Sequence, residues 1–367
     1  MTGLYIHIPF CQKKCLYCSF VVAIGQEQRV DEYLDCLARE AGPWRGTDAG
    51  TVYWGGGTPS RLSPAQLERL AAIVRNNFAV PPDAEWTVEC NPEDITADKA
   101  RCLKNLGINR VSLGVQSFRD SFLKYLGRCH DAQRAGEAYE ILRQAGFQNI
   151  NLDLMFAFPQ ETEADLERDI RQVTAMGSEH VSLYTLTVEE NSRFFAKHIV
   201  ELEGGDQARQ YRIVAGRLEA AGLRQYEVSN FAKPGHESRH NGHYWTGGDY
   251  AGLGVGAHSH RNGRRSWNVS RLPEYLARFK DGRPPEDGSE QLAAGERFWE
   301  TFLLGLRMNA GVDVKSLENR FACALGHDRT ERIDAFVRDG FLWRDNGRIG
   351  ATLEGRLVLD EISSRLL

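Results

Sequence analysis

Three cysteines fall within eight residues near the start of the chain, in the stretch CQKKCLYCSF from Cys11 to Phe20. Their spacing, C-x3-C-x2-C through Cys11, Cys15 and Cys18, offers three thiolates from one tight loop and no fourth. A structural zinc site wants four closed ligands, usually as two paired motifs, and no second pair occurs in the sequence. A redox dithiol would use C-x2-C beside a thioredoxin-like pattern, which this spacing does not fit. Three thiolates do suit three corners of a [4Fe–4S] cube, with the fourth iron left open to another ligand. Lys13 and Lys14, inside the loop, could offset the negative charge of such a cluster.

Further residues able to hold a polar ligand recur along the first half of the chain. WGGGTP, Trp54 to Pro59, is a glycine-rich turn able to bring backbone N–H and C=O groups close to a ligand, and it lacks the Lys-Ser/Thr ending of a phosphate loop. Glu89 sits in ECNPE, Gln116 in GVQSF, Arg128 in LGRCH and Asp153 in NLDLMFAFP. A carboxylate can hold ribose hydroxyls or an ammonium, Gln a ribose or a carboxylate, and Arg pairs with a carboxylate. The run GLGVGAHS from Gly252 lacks the spacing of a dinucleotide fingerprint and reads as a tight turn bordering the cofactor pocket.

These residues need elements to position them. Strand candidates are LYIHI (from Leu4), TVYW (from Thr51), EWTVEC (from Glu85), RVSLGV (from Arg110), NINLDLM (from Asn149) and HVSLYTL (from His180). Between them lie segments of helical period, several starting on Ser, Thr or Asp and stopping at Gly. Six β-α units in sequence predict a parallel sheet with right-handed crossovers, closed as a partial TIM-like (β/α)6 barrel over residues 1–222. An open doubly wound sheet is the structural alternative. The chemistry-bearing residues fall at or just after the C-terminal ends of these strands, where such folds place their sites. Residues 223–287 then form a strand and loop extension: QYEVSNF reads as a strand, a Gly-, His- and aromatic-rich stretch follows, and GRPPEDGSE reads as a linker. Residues 288–367 read as a mainly helical, winged-helix-like domain, opening on the amphipathic ERFWETFLLGLRM.

Composition bounds the partners. The chain has 367 residues, 42% hydrophobic and 26% charged, with a net charge of −5. Residues 288–367 hold 11 Lys/Arg against 13 Asp/Glu, so no nucleic-acid footprint is expected. No apolar run approaches the ~18 residues needed to span a bilayer, and the N-terminus lacks the pattern of an export signal. The remaining cysteines, Cys36, Cys90, Cys102, Cys129 and Cys323, are scattered and read as buried thiols of a reducing, cytoplasmic compartment.

The C-x3-C-x2-C loop after a first strand resembles the signature of radical S-adenosylmethionine (SAM) enzymes. That resemblance implies a [4Fe–4S] cluster on Cys11, Cys15 and Cys18, with the amino and carboxylate groups of SAM on the open iron. YIHIPFC, VYWGGGTPS, GVQSF, NLDLMFAFP and SLYTLT, with the helical C-terminal domain, are similar to the oxygen-independent coproporphyrinogen III oxidase group over nearly the whole chain. By that likeness Tyr5, Gly56, Gly57, Thr58, Glu89, Gln116, Arg128 and Asp153 are expected SAM contacts. The chain departs from the dehydrogenase in two places. Phe20 stands where that enzyme's signature continues to a fourth cysteine, and only ten residues precede Cys11, where the enzyme has a longer arm over its site. Both argue against porphyrinogen decarboxylation, which needs a sealed site.

HNGHYW, His240 to Trp245, matches the HNxxYW motif of the related HemW-type heme chaperones. The resemblance implies heme bound through His240, with His236 and His243 as competing ligands, and delivery to acceptor hemoproteins such as membrane-associated respiratory enzymes. Neutral imidazole is a common axial ligand of heme iron. Tyr244 and Trp245 could stack on or edge the porphyrin, and Lys233 and Arg239 could meet its propionates. The bland alternative is a His/Asn/aromatic loop that locks the open edge of the barrel. A homodimer is compatible with the sequence. An enzyme of the coproporphyrinogen dehydrogenase or radical SAM methyltransferase type is the second reading.

Overall fold

Strand β1 (Thr2–Ile8) alternates in a way that sets up the whole domain. Leu4, Ile6 and Ile8 are fully buried against the surrounding helices, while Tyr5 and His7 turn to the other face of the sheet. In the computed structural model, which describes residues 1–367, five more strands follow the same plan. They are β2 (Thr47–Gly56), β3 (Glu85–Cys90), β4 (Arg110–Gln116), β5 (Ile150–Phe156) and β6 (His180–Thr185). Each pairs in parallel with the one before it. The helices that cover them are α1 (Val30–Glu40), α2 (Pro64–Asn77), α3 (Ala97–Asn105), α4 (Ala132–Gln144), α5 (Glu163–Met176) and α6 (Gly204–Ala220). Local chemistry fixes their starts. Ser63 and Gln66 form a reciprocal cap on α2, Thr162 and Asp165 another on α5, and Asp131 accepts from Arg134 N on α4.

The barrel stays partial. β6 does not return to β1; its outer neighbour is β8 (Asn230–Ala232), which pairs antiparallel with β7 (Arg224–Glu227). QYEVSNF is therefore a hairpin and not one strand. On the other side β1 pairs in parallel with β9 (Tyr250–Leu253), and β10 (His258–Arg261), β11 (Arg264–Asn268) and β12 (Glu286–Gln291) continue the sheet antiparallel. The stretch expected as a linker thus supplies an edge strand, because Arg264 and Arg265 on β11 face Glu286 and Glu290. The GLGVGAHS turn also differs from expectation. It lines no part of the cofactor cavity and packs behind it, with Gly254 close to the Tyr33 hydroxyl and His7 carbonyl, and Gly256 against Val21.

HNGHYW is no loop. It forms helix α7 (Arg239–Trp245), and buried Glu85 at the start of β3 accepts from Arg239 N at 2.8 Å and His240 N at 2.9 Å. A carboxylate at a helix N-terminus satisfies free N–H groups and complements the helix dipole. Because Glu85, Thr51 and Tyr226 belong to the sheet and all meet this segment, α7 closes the lower mouth of the barrel.

The C-terminal region packs a separate core. α8 (Ala294–Gly305), α9 (Val314–Phe321) and α10 (His327–Arg338) surround Phe298, Phe302, Leu317 and Ile333. A hairpin of Leu342–Asp345 with Arg348–Ala351 adds the ribbon of a winged-helix order. Arg307, past the end of α8, lies 4.5 Å over the Trp245 ring and 3.5 Å from buried Glu227. The adjoining residues run along β7, where Asn309 N donates to Tyr226 O at 2.9 Å and Met308 bridges to Glu227. No helix is long and apolar enough to cross a membrane.

Candidate functional site

At the upper mouth of the barrel a cavity of about 400 Å³ gathers the cysteine loop and the ends of five strands. Cys11, Cys15 and Cys18 all line it, as do Gly56, Gly57, Thr58, Glu89, Gln116, Arg128 and Asp153. The cysteine loop is tied down from outside: Leu16 N donates to Leu126 O and Phe194 N to Leu16 O, both at 2.9 Å. Phe20 stands on the rim, 65% exposed.

The thiols have polar supports already in place. Thr58 Oγ1 lies 3.2 Å from Cys11 Sγ, and Arg128 Nη1 donates to Cys15 Sγ at 3.6 Å. Burial pushes the Cys11 thiol up to about 12 and raises Cys18 as well, so metal binding must displace protons there. No three His, Cys, Asp or Glu groups converge on one ion-sized point. Three thiols on one loop match the three protein-held corners of a cube, whereas a structural zinc would need a fourth ligand. The donor set fits a [4Fe–4S] cluster, whose chemistry would be electron transfer to SAM.

The glycines of WGGGTP serve the protein first. A Cβ on Gly56, whose φ is 107°, would sit 2.3 Å from the His7 ring, and one on Gly57 would sit 2.6 Å from the Pro9 backbone. That close crossing turns Gly56 N toward Glu89, which accepts from it at 2.9 Å and from the Tyr53 hydroxyl at 2.8 Å. Burial raises Glu89 to about 7 and raises Asp153 too, the latter held by Ser112 Oγ at 3.0 Å and Asn151 Nδ2 at 2.7 Å. Arg128 is fixed by donating to Asn91 Oδ1 and Gly114 O. Gln116 ends β4 at φ 70°, a left-handed conformation that a side chain adopts only under constraint.

Two expected site residues stand elsewhere. Tyr5 lies below the cavity, its ring 6.2 Å from that of Tyr53 and its hydroxyl 3.0 Å from His7 Nδ1. His240 is 2% exposed, with Nδ1 2.8 Å from Thr51 Oγ1 and Nε2 2.9 Å from the Tyr244 hydroxyl. Burial pushes it down to about 3, so the ring is neutral. His243 Nε2 is engaged by Asp249 O, and His236 opens on a separate groove with Lys104, Arg224 and Arg239. Lys233 turns away to Glu179 and Gly177 O.

Sequence reasoning missed the cavity floor. Arg110, Ser112, Asn151, Ser182 and, from α7, Asn241 line it. Arg110 is 2% exposed, and its Nε has no hydrogen-bond partner. Counting back in twos from Gln116 and Asp153 finds Ser112, Arg110 and Asn151.

Comparison with known proteins agrees with this geometry. Residues 5–173 match the Radical SAM superfamily and residues 292–358 the HemN C-terminal domain. The chain is a radical SAM protein, a class that implies a [4Fe–4S] cluster and SAM. It is 36% identical to heme chaperone HemW of Bacillus subtilis, over 100% of this chain and 99% of that one. Heme chaperone HemW of Escherichia coli is 40% identical over 70% of this chain and 69% of its own length. The chain belongs to this HemW family. The solved coproporphyrinogen III oxidase (HemN) of Escherichia coli shares the fold, with a TM-score of 0.87 at 24% identity over 100% of this chain and 89% of that one.

Proposed function

We propose that this protein is a heme chaperone: it binds heme as cargo and hands it to acceptor hemoproteins, on a scaffold that holds a [4Fe–4S] cluster and SAM. The observation that carries this reading is the full-length similarity to proteins named heme chaperone HemW. The HNGHYW segment supports it, since it forms a discrete helix bearing a neutral imidazole packed between Tyr244 and, from the barrel, Tyr53. In this reading His240 is the axial ligand. Both its nitrogens are hydrogen-bonded, so ligation requires Tyr244 to swing aside. The residues expected to hold SAM, from Gly56 to Asp153, remain assigned to the upper cavity, which they line together with the cysteines. The proposal includes a cytoplasmic site of action, acceptors among membrane-associated respiratory enzymes, and a homodimer as the working form.

The test is direct. Titrate heme into the anaerobically reconstituted protein and into His240→Ala, then mix the loaded protein with a heme-depleted respiratory acceptor. A Soret band that depends on His240 and passes to the acceptor is expected. Unchanged binding by His240→Ala would remove the ligand assignment, and turnover of coproporphyrinogen to protoporphyrinogen would favour the enzyme reading.

A further inference from the structure

A second, smaller cavity lies where the C-terminal domain meets the barrel floor, enclosed by α7, β9, β10 and α8, with a volume of about 140 Å³. Trp245 Nε1, His260 Nε2 and Arg297 Nε are buried at its walls, and none has a hydrogen-bond partner. His260 is only 8% exposed. The indole and guanidinium N–H groups can only donate, so together they ask for an acceptor. Arg297 has no carboxylate of its own; its guanidinium lies 5.2 Å over the Phe321 ring. The other cation there, Arg265, is already tied to Glu300 and to Glu290. That pair of glutamates against one arginine leaves the wall near neutral with Arg297, and the unpaired buried donors still call for an acceptor that the protein does not supply.

Position narrows the choice of acceptor. Tyr244 forms part of the wall, and its hydroxyl is the group that covers His240 Nε2. Ligation at Nε2 would need Tyr244 displaced, and displacing it would remove the wall between Nε2 and this cavity. A porphyrin drawn to His240 by that route brings its peripheral carboxylates alongside Arg297. The cavity is too small for the macrocycle, since sites for ligands of that size run to roughly 300–1,000 Å³, yet it admits a single carboxylate arm.

We propose that this cavity is a carboxylate subsite that takes one propionate of heme, with Arg297 and Trp245 as its donors. The assignment rests on the heme-chaperone reading. It makes recognition of the cargo a joint task of the barrel and the C-terminal domain, because Trp245 comes from one and Arg297 from the other.

The experiment compares heme with its dimethyl ester, whose carboxylates carry no charge. Both are titrated by absorbance into the wild-type protein, Arg297→Gln and Trp245→Phe, with His240→Ala alongside and thermal melting to confirm folding. Trp245→Phe keeps an aromatic ring beneath Arg307, removes the N–H and shortens the side chain. Arg297→Gln is expected to weaken heme about tenfold without changing affinity for the ester or the position of the Soret band, and Trp245→Phe to weaken heme more than the ester. Equal losses for heme and ester, or no loss for either, overturn the subsite and leave a cavity filled by water. If His240→Ala binds heme normally while Arg297→Gln still separates heme from ester, the ligand assignment fails and the subsite stands. If the wild-type protein binds neither compound, both proposals fall.

Discussion

The Tyr244 hydroxyl lies 2.9 Å from His240 Nε2, on the only ring nitrogen that Thr51 leaves free. The contact acts as a latch over the proposed ligand. Tyr244→Phe keeps the ring and removes the hydrogen bond, so heme affinity should rise about fivefold, in line with one net hydrogen bond. Soret titration and stopped-flow association read it; weaker binding would mean that the hydroxyl belongs to the bound state.

Cys15 and Cys129 offer a contrast between a proposed cluster thiol and a bystander. Both lie near Arg128, but Cys129 is exposed and lines no part of the cavity. Cys15→Ser should lose the iron and sulfide taken up on anaerobic reconstitution, and Cys129→Ser should keep the full amount. Iron analysis and the cluster's visible absorption check both.

Glu161 should give the stability curve a slope on the alkaline side. Burial raises it from 4.5 to about 8, and its Oε1 has no partner while Oε2 accepts from Ala157 N at 2.7 Å. The native state therefore holds this proton over a range where the unfolded chain has released it. The stability it contributes is full below pH 4.5 and is lost as pH rises through about 8. His7 and His240, depressed to about 4 and 3, act in the opposite sense, but only below their unfolded value of 6.5. Glu161→Gln mimics the protonated acid, so between pH 6.5 and 8.5 its melting temperature should fall less than that of the wild type. Over that interval the wild type should lose about 2 kcal/mol that the variant keeps; parallel curves would sink the assignment.

Arg307 holds the two domains together through charge. Glu227 is fully buried, and Arg307 at 3.5 Å is its one cationic partner. Arg307→Ala leaves that carboxylate uncompensated and uncovers the Trp245 ring, so chemical denaturation should report a loss of about 2–3 kcal/mol. Adding Glu227→Gln should restore part of it. No recovery in the double variant would place the effect in the Trp245 contact alone.

Much of the barrel is legible in the chain because its strands are buried on one face and carry their ligand-holding residues on the other. Ser63 and Thr96 announce helices that the structure caps with those same residues. The cysteine loop and the residues from Gly56 to Asp153 do meet around one cavity. What stayed hidden depends on distant partners. Seven residues containing Gly, Asn and two His have little helical tendency of their own. They become α7 because Glu85, more than 150 positions earlier, takes up their free N–H groups. EDGSEQ has no strand pattern either, and becomes β12 only beside the arginines of β11. The engagement of both His240 nitrogens is equally a product of tertiary packing: Thr51 lies 189 positions away.

The segment at Met308 and Asn309 has a consequence for how small this protein can be made. By pairing with Tyr226 and Glu227 it covers the outer edge of the sheet at β7, while the opposite edge, β12, is screened by Glu286, Asp287 and Glu290. A fragment cut before α8 would keep every residue of the upper cavity and expose an unpaired strand. Bare edges recruit other strands, so the truncated barrel would self-associate before it could be studied as a monomer. In this chain the C-terminal domain is what covers that edge of the barrel.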